Sequence, residues 1–228
     1  MSKPLLVVKY MVGPEKEEEF CKWYEAYLER FMARVPEMLT GRRVRTEKNG
    51  IREYMSIYEI ESPEKVDAAM AHIGQDTPER IKDSEEWHEW VEGAMYYCTD
   101  AVWEELQLIE NDKAASSKNK PLLIVRYAVG PEKEEEFCKW YEAYLERFMA
   151  RVPEMLTGRR VRTEKNGVRE YMSIYEIESP EKVDAAMAHI GQDTPERIKD
   201  SEEWHEWVEG AMYYCTDAVW EQLQLIER

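Results

Sequence analysis

The sequence predicts an α+β protein built of two tandem β-α-β-β-α-β units, and three observations carry that prediction. The chain repeats itself almost unchanged at a fixed offset. Within each repeat, apolar residues recur first with the period of a strand and then with that of a helix. Turn and helix-start signals fall between those runs.

Pro4-Leu5-Leu6-Val7-Val8 returns as Pro121-Leu122-Leu123-Ile124-Val125, and the match holds at an offset of 117 from residues 4–110 to residues 121–227. Of those 107 aligned positions only five differ: Val7/Ile124, Lys9/Arg126, Met11/Ala128, Ile51/Val168 and Glu105/Gln222. A unit of this length is too long for a solenoid repeat and is the size of a small independent domain. Residues 111–120, NDKAASSKNK, are polar and free of aromatic and β-branched side chains. They read as a linker between a unit at 1–110 and a unit at 121–228. Near-identity of this degree fits a recent duplication or a deliberate single-chain form of a homodimer.

In the first copy, residues 4–12 are an apolar strand-like run ended by Gly13-Pro14. Residues 15–35 are helical, with Phe20, Tyr24, Tyr27, Phe31 and Val35 on one stripe and acidic residues in the first turn, at the positive end of the helix dipole. Runs 41–48 and 51–61 flank Lys48-Asn49-Gly50, a strong hairpin signal. Ser62-Pro63 starts a helix with Val66, Ala69, Met70 and Ile73 inward, Thr77-Pro78 a second short one, and Asp83 or Ser84 a third carrying Trp87, Trp90, Val91 and Ala94. Residues 101–110 alternate as a closing strand. This order is the ferredoxin-like plan, a four-stranded antiparallel sheet with helices on one face. The other face needs cover, and the second copy is the expected partner, giving an intrachain pseudo-dimeric α/β barrel. On the first strand Leu6, Val8, Tyr10 and Val12 should meet the helices, while Val7, Lys9 and Met11 share the opposite face. Three of the five differences fall on that opposite face, which fits either tuning of the two copies or neutral drift.

The composition narrows the partners. With 31 Lys+Arg against 48 Asp+Glu the net charge is −17, which disfavours nucleic acid and anionic membrane surfaces. No apolar run reaches the length of a spanning helix or a secretory signal, so the expectation is a cytoplasmic protein. Cys21, Cys98, Cys138 and Cys215 are far apart, without a CxxC, and read as buried thiols in preference to disulfides or a redox pair. Four histidines in total, two per copy, do not build a zinc site by themselves, so no metal is expected. The nucleotide-loop, metalloprotease and serine-hydrolase motifs are absent from the sequence.

Trp23-Tyr24, Pro36, Arg42-Arg43, Tyr54, Tyr58-Glu59 and Ser62-Pro63-Glu64 together resemble the dimeric α/β-barrel superfamily, particularly its EthD-like branch. Many relatives carry a histidine five residues after that tryptophan; here the position is Leu28, and Leu145 in the second copy. The resemblance implies a small, apolar or aromatic ligand in a cleft between sheet and helices. It also implies cofactor-independent chemistry of the monooxygenase, cyclase, dehydratase or isomerase type on aromatic or polyketide-like compounds. The cleft would be lined by Tyr24, Tyr27, Trp87 and Trp90, with Tyr141, Trp204 and Trp207 in the second copy. Tyr54 and Tyr58 (Tyr171 and Tyr175) would polarise a carbonyl, and His72 or His88 (His189 or His205) would move a proton. Of the basic cluster on the second strand, Arg43 and Arg45 (Arg160 and Arg162) share a face and would receive a carboxylate or enolate. The plain alternatives are core packing for the aromatics, half-exposed helix positions for the histidines and surface ion pairs for the arginines. Two further functions are weighed: a non-catalytic ligand-binding or stress-type module, and haem binding, which would need a histidine inside the cleft.

Overall fold

A computed structural model describes residues 2–48, 50–110, 120–165 and 167–227. The linker at 111–119 and the turn residue Asn49 lie outside the described residues. The first copy runs β1 (Leu5–Val12), α1 (Glu17–Arg34), β2 (Met38–Lys48), β3 (Ile51–Ile60), a single 3-10 turn, α2 (Val66–Gly74), α3 (Pro78–Gly93) and β4 (Met95–Glu110). The second repeats it as β5 (Leu122–Val129), α4 (Glu134–Arg151), β6 (Met155–Lys165), β7 (Val168–Ile177), α5 (Val183–Gly191), α6 (Pro195–Gly210) and β8 (Met212–Glu227). The chain divides into two compact units, Met1–Glu104 with Gln222–Arg228, and Glu105–Glu221.

Each unit holds an antiparallel five-stranded sheet with helices, an α+β, ferredoxin-like arrangement. In the first, β4, β1, β3 and β2 are neighbours in that order, and the end of β8 lies beside β2. The register puts Tyr10 opposite both Cys98 and Tyr54, Val8 opposite Asp100 and Ser56, and Leu6 opposite Val102 and Tyr58. On β2, Arg45, Arg43 and Gly41 continue those three rows. With a side-chain period of two, every residue in these rows faces the helices. Leu6, Tyr10 and Val12 are accordingly core residues, together with Phe20, Tyr24, Leu28, Phe31 and Met32 of α1.

Two local features differ from the sequence expectation. Thr77 caps a helix, accepting the Arg80 amide at 3.2 Å, but that helix runs unbroken to Gly93 instead of restarting at Asp83. Asp83 has no capping to do because its carboxylate is committed elsewhere. It is 3% exposed, accepts Arg30 Nε at 3.0 Å and Arg30 Nη2 at 2.8 Å, and takes a very short bond from Arg34 Nη1. The last strand begins at Met95, six residues before the alternation at 101–110 becomes apparent, because Met95–Asp100 mixes half-buried and exposed residues. The hairpin glycines Gly50 and Gly167 have φ of 76° and 75°, the left-handed region a tight turn requires.

The Arg30–Asp83–Arg34 bridge ties α3 to α1. Burial works against ionisation of Asp83, but the two guanidiniums hold its carboxyl below the usual range. Asp83→Ala should cost about 3 kcal/mol, because two cations lose their acceptor, one of them largely shielded from water. Urea denaturation at pH 7 checks the magnitude. A depressed folded value means the stabilisation is complete above the ordinary Asp pKa of about 3.9 and disappears as pH falls through the folded value. The gap between wild type and variant should therefore close only in acid.

Candidate functional site

The first unit encloses a cavity of about 260 Å³ between the sheet and all three helices. β1 contributes Leu6 and Val8, β3 contributes Tyr58, and β4 contributes Cys98 and Asp100. The helices supply Tyr24, Tyr27 and Phe31 from α1, Met70 and Ile73 from α2, and Trp87 from α3. The lining is apolar except for phenol hydroxyls, one thiol and one carboxylate. A second depression of about 190 Å³ shares Tyr27, Phe31, Ile73 and Trp87 with it and adds Arg34, Arg80, Asp83 and Ser84. Its counterpart in the second unit, about 180 Å³, is lined by the equivalent residues, including Tyr144, Trp204, Arg151 and Asp200.

Beneath the cavity lies a buried polar chain. Tyr24 Oη is 3.0 Å from Tyr58 Oη and 2.6 Å from Ser56 Oγ, and Tyr10 Oη is 3.3 Å from Ser56 Oγ. Arg43 donates from Nε to Tyr10 Oη at 3.2 Å and from Nη2 to Cys21 Sγ at 3.1 Å. Cys21 Sγ lies 3.8 Å from Tyr54 Oη, which donates a very short bond to Glu17; Glu17 also accepts Arg52 at 2.5 Å. Arg43 is 1% exposed, and its guanidinium carbon lies 4.8 Å from the Tyr24 ring centre and 4.9 Å from that of Tyr54. The second unit reproduces the chain with Arg160, Tyr127, Ser173, Tyr141 and Tyr175, while Cys138, Tyr171 and Glu134 extend it at the other end.

Register explains the convergence. Arg43 pairs with Ser56 across β2–β3, and Ser56 sits between Tyr54 and Tyr58 on the same face of β3. Tyr24 and Cys21, three apart on α1, project onto that row. Gly41 completes the fit: a Cβ there would fall 2.8 Å from Met32 Sδ, so Met32 would have to move from the place it fills between α1 and the sheet. Burial raises the pKa of Tyr10, Tyr24 and Tyr58 well above that of an ordinary phenol, so all three stay protonated. Burial, with Asp100 nearby, pushes the Cys98 thiol up to about 11.

The residues expected from sequence separate into groups. Tyr24, Tyr27, Tyr58 and Trp87 line the cavity. Tyr54 stacks on Tyr10 with centroids 5.6 Å apart, one layer beneath it. Trp90 packs edge-on against Phe20 at 5.4 Å, and Trp207 against Phe137 at the same distance, as core. Arg45 and Arg162 are half-buried and line none of these three cavities. The same is true of the histidines. His72 is half-exposed with Nδ1 2.8 Å from Glu37, His189 makes the same pair with Glu154, and His88 and His205 are exposed. Neither histidine is therefore placed to ligate an iron inside these cavities. Tyr10, Cys21, Ser56, Cys98 and Asp100 were not singled out from sequence. The period-two spacing Tyr54-Ser56-Tyr58 was the signal for Ser56; Cys98 and Asp100 were missed with the start of β4.

Among the described residues no cluster of three or more metal-ligating side chains exists, and no helix is long and apolar enough to cross a membrane. No family model and no curated protein matches the sequence. Solved structures do match its fold. A candidate monooxygenase of Fusobacterium nucleatum subsp. nucleatum superimposes with a TM-score of 0.70 at 13% identity, over 100% of this chain and 95% of that one. A second candidate monooxygenase, of Lactobacillus acidophilus, gives 0.63 at 15% identity, over 99% and 96%. An anthrone oxidase-like protein gives 0.68 at 11% identity, over 99% and 93%. At such identities the likeness is one of fold.

The hydroxyl chain sets an order of stability. Tyr24→Phe removes the central link and leaves Ser56 and Tyr58 short of partners, costing about 2 kcal/mol, whereas Tyr58→Phe breaks a single terminal bond and should cost about 1 kcal/mol or less. Urea midpoints of the paired variants in both units, with Tyr141→Phe and Tyr175→Phe, check the order; equal losses would contradict it.

Proposed function

We propose that the cleft between helices and sheet binds a small aromatic molecule and that the protein oxidises it with dioxygen without a cofactor, as a monooxygenase-type enzyme. The observation that carries this reading is the 260 Å³ cleft with its largely apolar walls, lined in part by Tyr24 and Tyr58, whose hydroxyls are 3.0 Å apart. An apolar cavity of about 150 Å³ is enough for benzene, so this one suits roughly two or three fused rings. Tyr27 and Trp87, stacked on each other at 5.9 Å with an interplanar angle of 17°, form an aromatic wall of the cleft against which a flat ligand can pack. The hydroxyl pair takes a carbonyl or phenol oxygen, and Asp100 on the exposed edge is the carboxylate within the lining that can accept a proton. The sequence motifs favour the EthD-like branch of the dimeric α/β-barrel superfamily, and the fold neighbours named as monooxygenases and as anthrone oxidase-like agree in reaction class.

Anthrone is a suitable first substrate. One dioxygen is consumed for each anthrone, one oxygen atom enters the ring carbon to give anthraquinone, and the other leaves as water with the two hydrogens lost from that carbon. Oxygen uptake and quinone absorbance should rise together above the rate without protein. Ile73→Trp with Ile190→Trp narrows the cavity and should weaken binding of 2-naphthol, followed by tryptophan quenching, by about tenfold or more. Saturable binding without oxygen uptake on any tested hydroxyaromatic would favour the non-catalytic binder. Absence of aromatic binding would sink both readings.

A further inference from the structure

The protons of the buried chain can be counted. A guanidinium only donates, so Tyr10 Oη spends a lone pair on Arg43, and its own proton goes to Ser56 Oγ, 3.3 Å away. Ser56, Tyr24 and Tyr58 make two more contacts, of 2.6 and 3.0 Å. Three of the four hydroxyl protons are used in these contacts, and the fourth, on Tyr58, has the second lone pair of Ser56 as its partner inside the protein. Ser56 is fully buried, and of the four groups only Tyr24 and Tyr58 line the cavity. Running the bonds from Arg43 through Tyr10, Ser56 and Tyr24 to Tyr58 puts the last proton of the series on a residue that lines the cavity, where a ligand oxygen can compete with Ser56 for it.

The head of this chain is a full positive charge that touches no carboxylate among the described residues; Glu17 is reached only through Cys21 and Tyr54. Among the described residues, the side-chain bonds of Arg43 go to the Tyr10 hydroxyl and the Cys21 sulfur, and it makes no ion pair with a carboxylate. A buried cation compensated only by ring faces and dipoles favours an anion nearby. We propose that Arg43, acting through Tyr10, Ser56, Tyr24 and Tyr58, makes the cavity select phenols and enols in their ionised form. Arg43 is a positioning residue in this scheme, since it does not touch the ligand, and Arg160 plays the same part in the second unit. The proposal rests on the reading of the cavity as an aromatic site and adds the ionisation state of what it takes. High pKa values on the three tyrosines agree with it, since groups that hold their protons remain donors to an oxyanion.

Other charges lie around the cavity. Asp100 on β4 opposes an anion but is exposed, so water weakens its field. The Cys98 thiol beside it is held neutral, and Asp83 behind Tyr27 is matched by Arg30 and Arg34. β1 and α2 line the cavity with Leu6, Val8, Met70 and Ile73, which carry no charge.

The test uses the full chain with 4-nitrophenol, whose phenolate is yellow, and nitrobenzene as the neutral analogue. Bound nitrophenol should ionise at least one pH unit below free nitrophenol, an affinity preference of about tenfold for the anion. Arg43→Met with Arg160→Met should abolish that shift while nitrobenzene affinity is kept, and lysine at both positions should restore part of it. Should the methionine variant not fold, Tyr58→Phe with Tyr175→Phe decides, because it removes the terminal donor and leaves the guanidinium in place; it too should lose the shift. Ionisation at or above the pH of free nitrophenol, or a shift that survives whichever of these variants folds, overturns the proposal. Nitrobenzene failing to bind the wild type would instead remove the aromatic-site reading on which it rests.

Discussion

Taking a guanidinium out of water costs several kcal/mol unless its charge and protons are met, and Arg43 is met in part, by ring faces, a hydroxyl and a thiol. The structure around it follows from this constraint. Rings of Tyr24 and Tyr54 within 5 Å supply their negative faces, Tyr10 and Cys21 accept protons, and Gly41 lets α1 settle close enough to complete the enclosure. The cavity is bounded by the far side of the same residues: Tyr24 and Tyr58 belong both to the buried chain and to its lining. The residues that hold the buried chain together are therefore also part of the cavity wall.

The repetition of the chain sharpens this. Every member of the network is the same residue in both copies, and the five differences fall outside it. Two of the five lie in ion pairs. Lys9 meets Glu53 at 3.1 Å where Arg126 meets Glu170 at 3.7 Å, which keeps the charge. Glu105 pairs with Arg159 at 2.9 Å in the second unit, whereas the position equivalent to Glu105 is the neutral, buried Gln222, in the first. Ala128 is buried where Met11 is half-buried. The two units thus share one polar chain and differ in charge and volume on the side of the sheet away from it.

Much of the fold was legible because it depends on local rules. Period-two runs gave the strands, the Phe20–Val35 stripe gave α1, and Thr77 at an N-cap gave the start of α3. The errors came where tertiary bonds override local signals. Asp83 looked like a helix start but is a buried acceptor for two arginines of α1, and Met95–Asp100, left out of the strand expected from sequence, pairs with β1 across a bulge between Met11 and Val12. The candidate site was legible in part. The family resemblance, laid over the aromatic spacing, pointed to Tyr24, Tyr27, Tyr58 and Trp87; period two puts Ser56 on the face of Tyr54 and Tyr58, but no local pattern shows that it meets Tyr10 and Tyr24, or that His72 turns toward Glu37.

By itself, the sequence determined the doubling, the order of elements, the acidic surface and the faces of strand and helix, since each follows from nearest-neighbour periodicity or from a count of charges. Only the tertiary structure decided which polar groups share a buried environment. Arg43, Ser56, Tyr10 and Tyr24 lie on four different elements, and Arg43 became a buried cation, not a surface arginine, through strand register and the closeness of α1 to Gly41. Those are distances between parts of the chain far apart in sequence, and no local pattern encodes them.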